Sequence, residues 1–133
     1  MFFLSKQVSQ RSLGSGFIFN AHISCLTVTV GYSPSTGSPA RSLKYSAKLG
    51  CKYIHFDVMD GIFVPSISFG MPVLQSIRPG TNLFCDAHLM ITEPIRYVEE
   101  FKKAGADLIT IHLEACEDVV ATLNKIKEVG CKV

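Results

Sequence analysis

The spacing of apolar and polar positions changes at about residue 41. Ahead of that point the one β-prone run is Leu26–Thr27–Val28–Thr29–Val30, a candidate strand. Gly14–Ser15–Gly16 and the Ser/Pro/Gly stretch 33–39 are turn or linker material, and no helix start is convincing. Residues 1–40 therefore stay unassigned, with a disordered or non-native segment as the expectation. From Arg41 onward, short apolar runs alternate with amphipathic ones. Residues 42–49 read as a helix closed by Gly50, 53–58 as a strand, and 72–78 as a short helix with Pro72 in its first turn. Residues 83–89 read as a second strand. Thr92 is placed to cap a helix with Pro94 in its first turn, Ile95, Val98, Phe101 and Ala104 at helical spacing, and Gly105 at its end. Residues 108–113 read as a third strand. Residues 118–129 read as a helix with Val119, Leu123, Ile126 and Val129 along one face, ended by Gly130, and 131–133 open a fourth strand.

The junctions repeat. Leu49–Gly50–Cys51–Lys52–Tyr53, Ala104–Gly105–Ala106–Asp107–Leu108 and Val129–Gly130–Cys131–Lys132–Val133 each end a helix at glycine and begin a strand within two or three residues. Strands joined this tightly through helices run parallel, and their apolar character suits a sheet covered on both faces. Three strands and a stub make a poor open sheet and fit a segment of an eight-stranded barrel better, although periodicity alone does not choose. No GxGxxG loop follows the first strand to favour a dinucleotide fold.

Composition sharpens two points. The net charge of +2 conceals an asymmetry: all 11 acidic residues lie at or after Asp57, and ten serines fall in the first 48 residues. An acid-free, serine-rich, sparsely basic start has transit-peptide traits, and also those of a stretch translated out of frame, so organellar targeting is the lesser reading. The late half mixes both signs, which points to neither a nucleic-acid nor an anionic-membrane partner. No run of about 18 apolar residues occurs to span a bilayer. The five cysteines are odd in number and form no CxxC pair, so they read as small apolar residues in a reducing compartment, not as a disulfide frame or thiolate zinc site.

The chemistry lies on the strands. Alternation puts His55 and Asp57 on one side of the first strand and Ile54, Phe56 and Val58 on the other. Thirty-one residues after each, Asp86 and His88 reproduce the two-residue spacing on the next strand. An imidazole and a carboxylate on an otherwise apolar strand are costly to bury without partners, and parallel α/β folds put active sites at strand C-terminal ends. The two pairs fit either mutual hydrogen bonding inside a barrel or convergence on one cation. A mixed N/O donor set suits Zn²⁺, Fe²⁺, Co²⁺ or Mn²⁺ better than Mg²⁺ or Ca²⁺. Asp60–Gly61 shapes the loop after the strand, with Gly61 free to take positive φ. Asp86 is either an orienting partner of a ligand histidine or an interior polar residue. His112 reads as structural before it reads as a ligand. Glu99, Glu100, Lys102 and Lys103 read as a solvated helix face.

His55–Phe56–Asp57–Val58–Met59–Asp60–Gly61–Ile62–Phe63–Val64–Pro65 resembles the H-x-D-x-M-D-G-x-F-V-P signature of ribulose-phosphate 3-epimerases. Ser68–Phe69–Gly70, Asp86–Ala87–His88–Leu89–Met90–Ile91, Glu93–Pro94, Ala104–Gly105–Ala106–Asp107 and His112–Leu113–Glu114–Ala115 follow in the family's order and spacing. The resemblance runs from about residue 42 to 133. It implies residues 41–133 as the N-terminal part of a (β/α)₈ TIM barrel, and a cytoplasmic isomerase of the pentose phosphate pathway. Such an enzyme interconverts ribulose 5-phosphate and xylulose 5-phosphate with one divalent metal ion (Zn, Fe, Co or Mn). It further implies His55, Asp57 and His88 as metal ligands, with Asp57 also one of two carboxylates that trade the C3 proton. His88 would also touch substrate, and Met59 and Met90 would line the pocket. The partner implied is a small sugar phosphate, and a homo-oligomer is open for the intact enzyme.

Two departures accompany the resemblance. The family opens on a strand with a substrate-contacting serine in a P-S-I-L-S-A-D-type segment, and nothing in residues 1–40 is like it. The second catalytic aspartate, which is also the fourth metal ligand, and the phosphate-binding glycine loops belong to strands later than those read here. The expectation is a fragment of an epimerase with impaired activity. A sister enzyme such as an allulose 6-phosphate epimerase is one alternative, and a non-catalytic half-barrel that needs a partner is another.

Overall fold

The computed structural model describes residues 27–29, 47–48 and 50–133. Four strands, β1 (Thr27–Thr29), β2 (Tyr53–Met59), β3 (Phe84–Met90) and β4 (Leu108–Ile111), form one sheet in the order β1-β2-β3-β4, with every pair parallel. Helices α1 (Met71–Ile77) and α2 (Val98–Ala104) make the crossovers after β2 and β3, and α3 (Val119–Glu128) follows β4. Sequential parallel neighbours linked by helices are the wall of a β/α barrel, and this chain forms part of one.

The position of the barrel's first strand is filled, by Thr27–Thr29 of the β-prone run, which pairs in register with Tyr53–His55. The strand is therefore present even though the serine segment expected to form it is not. Of the helix expected over 42–49, Ala47 and Lys48 are helical and Gly50 closes the turn at φ +90; the remainder lies outside the described residues. β2 and β3 each run to a methionine, one residue past the expected ends. At the other end of the chain, Lys132 makes a single parallel bridge to Leu108, the beginning of the expected fourth strand.

Two elements differ from expectation. Thr92 caps no helix. The chain instead enters a 3₁₀ turn at Pro94–Tyr97 from Glu93, whose φ is 52°, and α2 begins only at Val98. The Thr92 amide goes to Asp60 across the loop (2.8 Å), a contact between residues 32 apart that no local pattern announces. The third strand stops at Ile111, because Leu113–Ala115 turns into 3₁₀ geometry and leaves His112 just beyond the strand. The start of α3 follows its sequence closely: the Asp118 side chain accepts from the Ala121 amide at 2.8 Å.

The sheet's two faces are unequal. Ile54, Phe56, Val58, Cys85, Ala87, Leu89 and Ile109 point outward under the helices and are buried with Leu74, Ile77, Val98, Phe101 and Ile126. The opposite face, the barrel's inner one, carries His55, Asp57, Asp86 and His88, all half-buried. At the N-terminal end Arg78 fastens this layer. Its guanidinium donates to the Leu83 carbonyl (2.7 Å) and pairs with Asp107 (3.1 Å), which in turn accepts the Cys85 amide (2.9 Å). Gly105 lies so close that a Cβ there would stand 2.6 Å from Arg78 Cγ, at a φ of +109° that disfavours any side chain.

Cys85 and Cys131 are buried free thiols, as expected of apolar filler, and burial pushes Cys85 up to about 12; Cys51 and Cys116 are free but only half-buried, and Cys25 lies outside the described residues. Among the described residues no helix is long and apolar enough to cross a membrane.

Candidate metal centre

Parallel pairing without stagger brings the two histidine–aspartate pairs together. His55 lies opposite Asp86, Asp57 opposite His88, and Met59 opposite Met90. The strand period of two then stacks these on the inner face as successive layers, with the methionines outermost at the C-terminal end. Ser68 secures that end: its hydroxyl donates to the Asp57 carbonyl (2.7 Å) and accepts the Met59 amide (2.9 Å).

Asp57 is the centre of the group. Its Oδ1 lies 3.1 Å from His55 Nε2 and 2.9 Å from His88 Nδ1. One ligand atom from each of His55, Asp57 and His88 can be chosen so that all lie within 4.8 Å of one another. Each histidine has a second partner on its far nitrogen. Asp86 Oδ2 faces His55 Nδ1 at 2.8 Å, and Asp86 is itself held by the Thr110 hydroxyl (2.8 Å). His112 Nε2 faces His88 Nε2 at 2.8 Å.

This arrangement fits a divalent ion. Asp86 accepts only, so it keeps a proton on His55 Nδ1; Nε2, which faces Asp57, is the nitrogen that would give up its proton on ligation, and a carboxylate on the far nitrogen prepares an imidazole for that. A 2-His-1-carboxylate donor set is borderline in hardness, which suits zinc, iron, cobalt or manganese.

The metal-free electrostatics are those of a compressed ion cluster. His55 is pushed up from 6.5 to about 10, first by its hydrogen bond to Asp57 and then by that to Asp86, against desolvation. Asp57 is held well below the usual carboxylate range by hydrogen bonds from His55 first and His88 second. The two shifts give stability opposite pH limits. A raised histidine pKa stabilises the fold fully below about 6.5 and loses that contribution as pH rises through about 10, while a depressed carboxylate loses its contribution only in acid. The urea midpoint of the metal-free chain is therefore expected to fall between pH 8 and pH 10.5. At a site this open the loss is on the order of 1–2 kcal/mol. Comparison with His55→Gln isolates the effect, and an identical alkaline loss in the variant would refute the assignment.

The loops above the site are tied to one another. Asp60 Oδ1 accepts the Ile62 and Phe63 amides (2.8 and 2.9 Å), and its Oδ2 accepts the Thr92 amide. Glu93 continues the series: its amide donates to the Ala115 carbonyl (3.0 Å), and its Oε1 accepts the Glu117 amide (2.7 Å). Gly61 has the positive φ its sequence context required, +76°, and a Cβ would meet Ile67 at 2.8 Å. Asp60→Asn replaces one acceptor oxygen by a donor. Its expected result is at least about tenfold faster hydrogen exchange at Ile62, Phe63 or Thr92, with helix content unchanged. Unaltered protection at all three amides would show that Asp60 is not the latch.

The five residues that the resemblance implies as ligands or pocket lining thus sit together on the inner face, His55, Asp57 and His88 as the cluster and Met59 and Met90 at its rim, with Asp86 beside His55 as an orienting partner. Thr110 was missed as part of it, and His112, read as structural before ligand, was not placed beside His88. Their signal was the same alternation that placed His55 and Asp57, since residues 108, 110 and 112 share one side of their run.

Comparison with known proteins gives the chain a lineage. A family model described as the ribulose-phosphate 3 epimerase family matches residues 33–133. The chain belongs to this family. The family's fold is a TIM barrel, of which the chain's parallel sheet and crossover helices form part. Among curated epimerases of the family, the ribulose-phosphate 3-epimerase of Bacillus subtilis (strain 168) is 49% identical over 90 residues, which is 68% of this chain and 42% of the relative. That of Chlamydia muridarum is 41% identical over 113 residues, 85% of this chain and 44% of the relative. The chloroplastic ribulose-5-phosphate-3-epimerase of Arabidopsis thaliana is 48% identical over 85 residues, 62% of this chain and 30% of the relative. The chain thus spans less than half the length of these epimerase relatives.

Proposed function

We propose that this chain is the early part of a ribulose-phosphate 3-epimerase and carries the first half of its active site. The observation that supports this most is the Asp57 carboxylate, flanked by His55 and His88 within 3.1 Å on the inner face of a parallel sheet. A bound divalent ion would supply positive charge to a substrate carbonyl and ease removal of the adjacent proton. His55 Nε2, Asp57 and His88 Nδ1 would hold that ion. Asp57 would also take and return the C3 proton of ribulose 5-phosphate. Ligation depresses a carboxylate's proton affinity and a developing negative charge raises it, so the two together bring exchange near neutral pH. Met59 and Met90 would give the sugar a soft apolar rim, with His88 touching it as well. Inversion at C3 requires a second acid on the opposite face, and the phosphate requires its own cradle. Both are assigned to later strands of the barrel, so low turnover is proposed for these 133 residues alone.

Four free thiols favour a reducing compartment, and a cytoplasmic location is proposed on that ground; cell fractionation checks it. The test of function joins this chain, after Val133, to the portion of the Bacillus subtilis relative that lies beyond the matched region. The chimera should convert ribulose 5-phosphate to xylulose 5-phosphate in a metal-dependent way, and Asp57→Ala should lower its rate by at least about 10³-fold. A folded, metal-loaded chimera that instead epimerises only allulose 6-phosphate would establish the sister activity. One that epimerises neither would sink the proposal.

A further inference from the structure

We propose that His112 is a positioning residue: by accepting the Nε2 proton of His88 it leaves His88 Nδ1 bare for metal ligation. The inference rests on the metal reading above.

An imidazole offers a metal one nitrogen, and the partner of the other nitrogen decides which. His88 turns Nδ1 toward Asp57 (2.9 Å) and Nε2 toward His112 Nε2 (2.8 Å). Ligation beside Asp57 therefore requires the proton on Nε2, and a half-buried N–H of this kind needs an acceptor. The ring geometry suits that role. The centroids of His88 and His112 are 5.0 Å apart with a 29° tilt, so centroid separation exceeds nitrogen separation by about one ring's width. That is an edge-to-edge hydrogen bond, not a stack. His112 is not placed as a ligand itself, because its Nε2 faces His88 Nε2 and the three clustered donors are those of His55, Asp57 and His88.

His112 is in turn fixed from two sides. The Phe63 ring lies 5.2 Å from it, carried by the loop that Asp60 gathers, and its carbonyl accepts the Ala115 amide at 3.1 Å. A symmetry of purpose emerges along the fourth strand. Thr110 holds Asp86, which orients His55; two residues on, at the strand's exit, His112 orients His88. β4 and its exit thus carry no clustered donor and supply the orienting partners of both histidines.

The test compares the 133-residue chain with His112→Phe and His112→Gln. Zinc affinity is measured by competition with a chromophoric chelator, and histidine ring protonation by ¹⁵N–¹H NMR of the zinc-loaded chain. His112→Phe is expected to weaken zinc binding about 10–100-fold with helix content unchanged. It should also remove a downfield, slowly exchanging Nε2 proton of His88 that the parent shows. His112→Gln, whose amide oxygen can reach the same point, is expected to stay within a few-fold of the parent. Equal zinc affinity in the phenylalanine variant would overturn the inference, as would an equal loss in the glutamine variant. Should His112→Phe fail to fold, the parent spectrum decides: a zinc-loaded His88 protonated on Nδ1 also overturns it. Failure of the parent to bind zinc is a different result, since it removes the metal reading itself and this inference with it.

Discussion

Asp57→Ala should weaken zinc binding to this chain by about 10³-fold, roughly 4 kcal/mol, while the far-ultraviolet circular dichroism stays that of the parent. The expected size follows from the double use of one oxygen. Asp57 Oδ1 accepts from His55 Nε2 and His88 Nδ1 in the metal-free site, drawing both to one point, and on the proposed reading the same oxygen would be a ligand when an ion is bound. Its removal takes away one ligand of three and also the anchor of the other two. That effect should exceed the 10–100-fold typical of losing an orienting partner alone. The fold should survive because Asp57 stands on the inner face, its side chain 29% exposed, while the buried cluster lies across the sheet. A chelator competition titration measures the affinity, and a loss smaller than tenfold would dismiss Asp57 as the centre of the site.

Phe101→Ala should do the reverse, leaving the ligands in sequence but no fold to hold them. Phe101 is 1% exposed on α2 and packs in the cluster that seats the helices on β2 and β3. Emptying such a position costs about 3–5 kcal/mol. Native domains have only about 5–15 kcal/mol in total, and a portion of a barrel has less core to draw on. The urea midpoint is therefore expected to fall by more than half, with most of the variant unfolded at 37 °C. Ile62→Ala is the control, since Ile62 is 80% exposed in the loop above the site and should melt like the parent. A cooperative, parent-like transition in Phe101→Ala would mean that the core does not lie beneath α2.

What the sequence disclosed and what it hid divide along one physical line. The period of two on β2 separated Ile54, Phe56 and Val58 from His55 and Asp57, and those faces are the ones observed. The glycine-closed junctions announced parallel strands, and Asp118 announced α3. Each of these is a matter of neighbours a few residues apart. The misreading at Thr92 arose because the group that claims its amide, Asp60, is 32 residues away. The first strand was legible as a β-prone run, while its place beside β2 was not, since pairing is a property of two segments. The cluster itself was half legible. Alternation set each histidine–aspartate pair on one face, whereas register decided that His55 meets Asp86 and Asp57 meets His88. Thr110 escaped, and His112 was named without its contact to His88, for the same reason: a threonine and a histidine on an apolar run acquire meaning only from the strand alongside.

The unequal faces of the sheet have a consequence for how such a protein is made. Its dry interior lies between strands and helices, and none of it requires that the ring of strands be closed. A nascent chain leaves the ribosome N-terminus first, and domains begin to fold in that order. Once β2, α1, β3 and α2 have emerged, most of this apolar cluster is already available to collapse, and His55, Asp57 and His88 stand in register on the wet side. In longer members of the family, the early strands would then act as a template on which the later ones arrive.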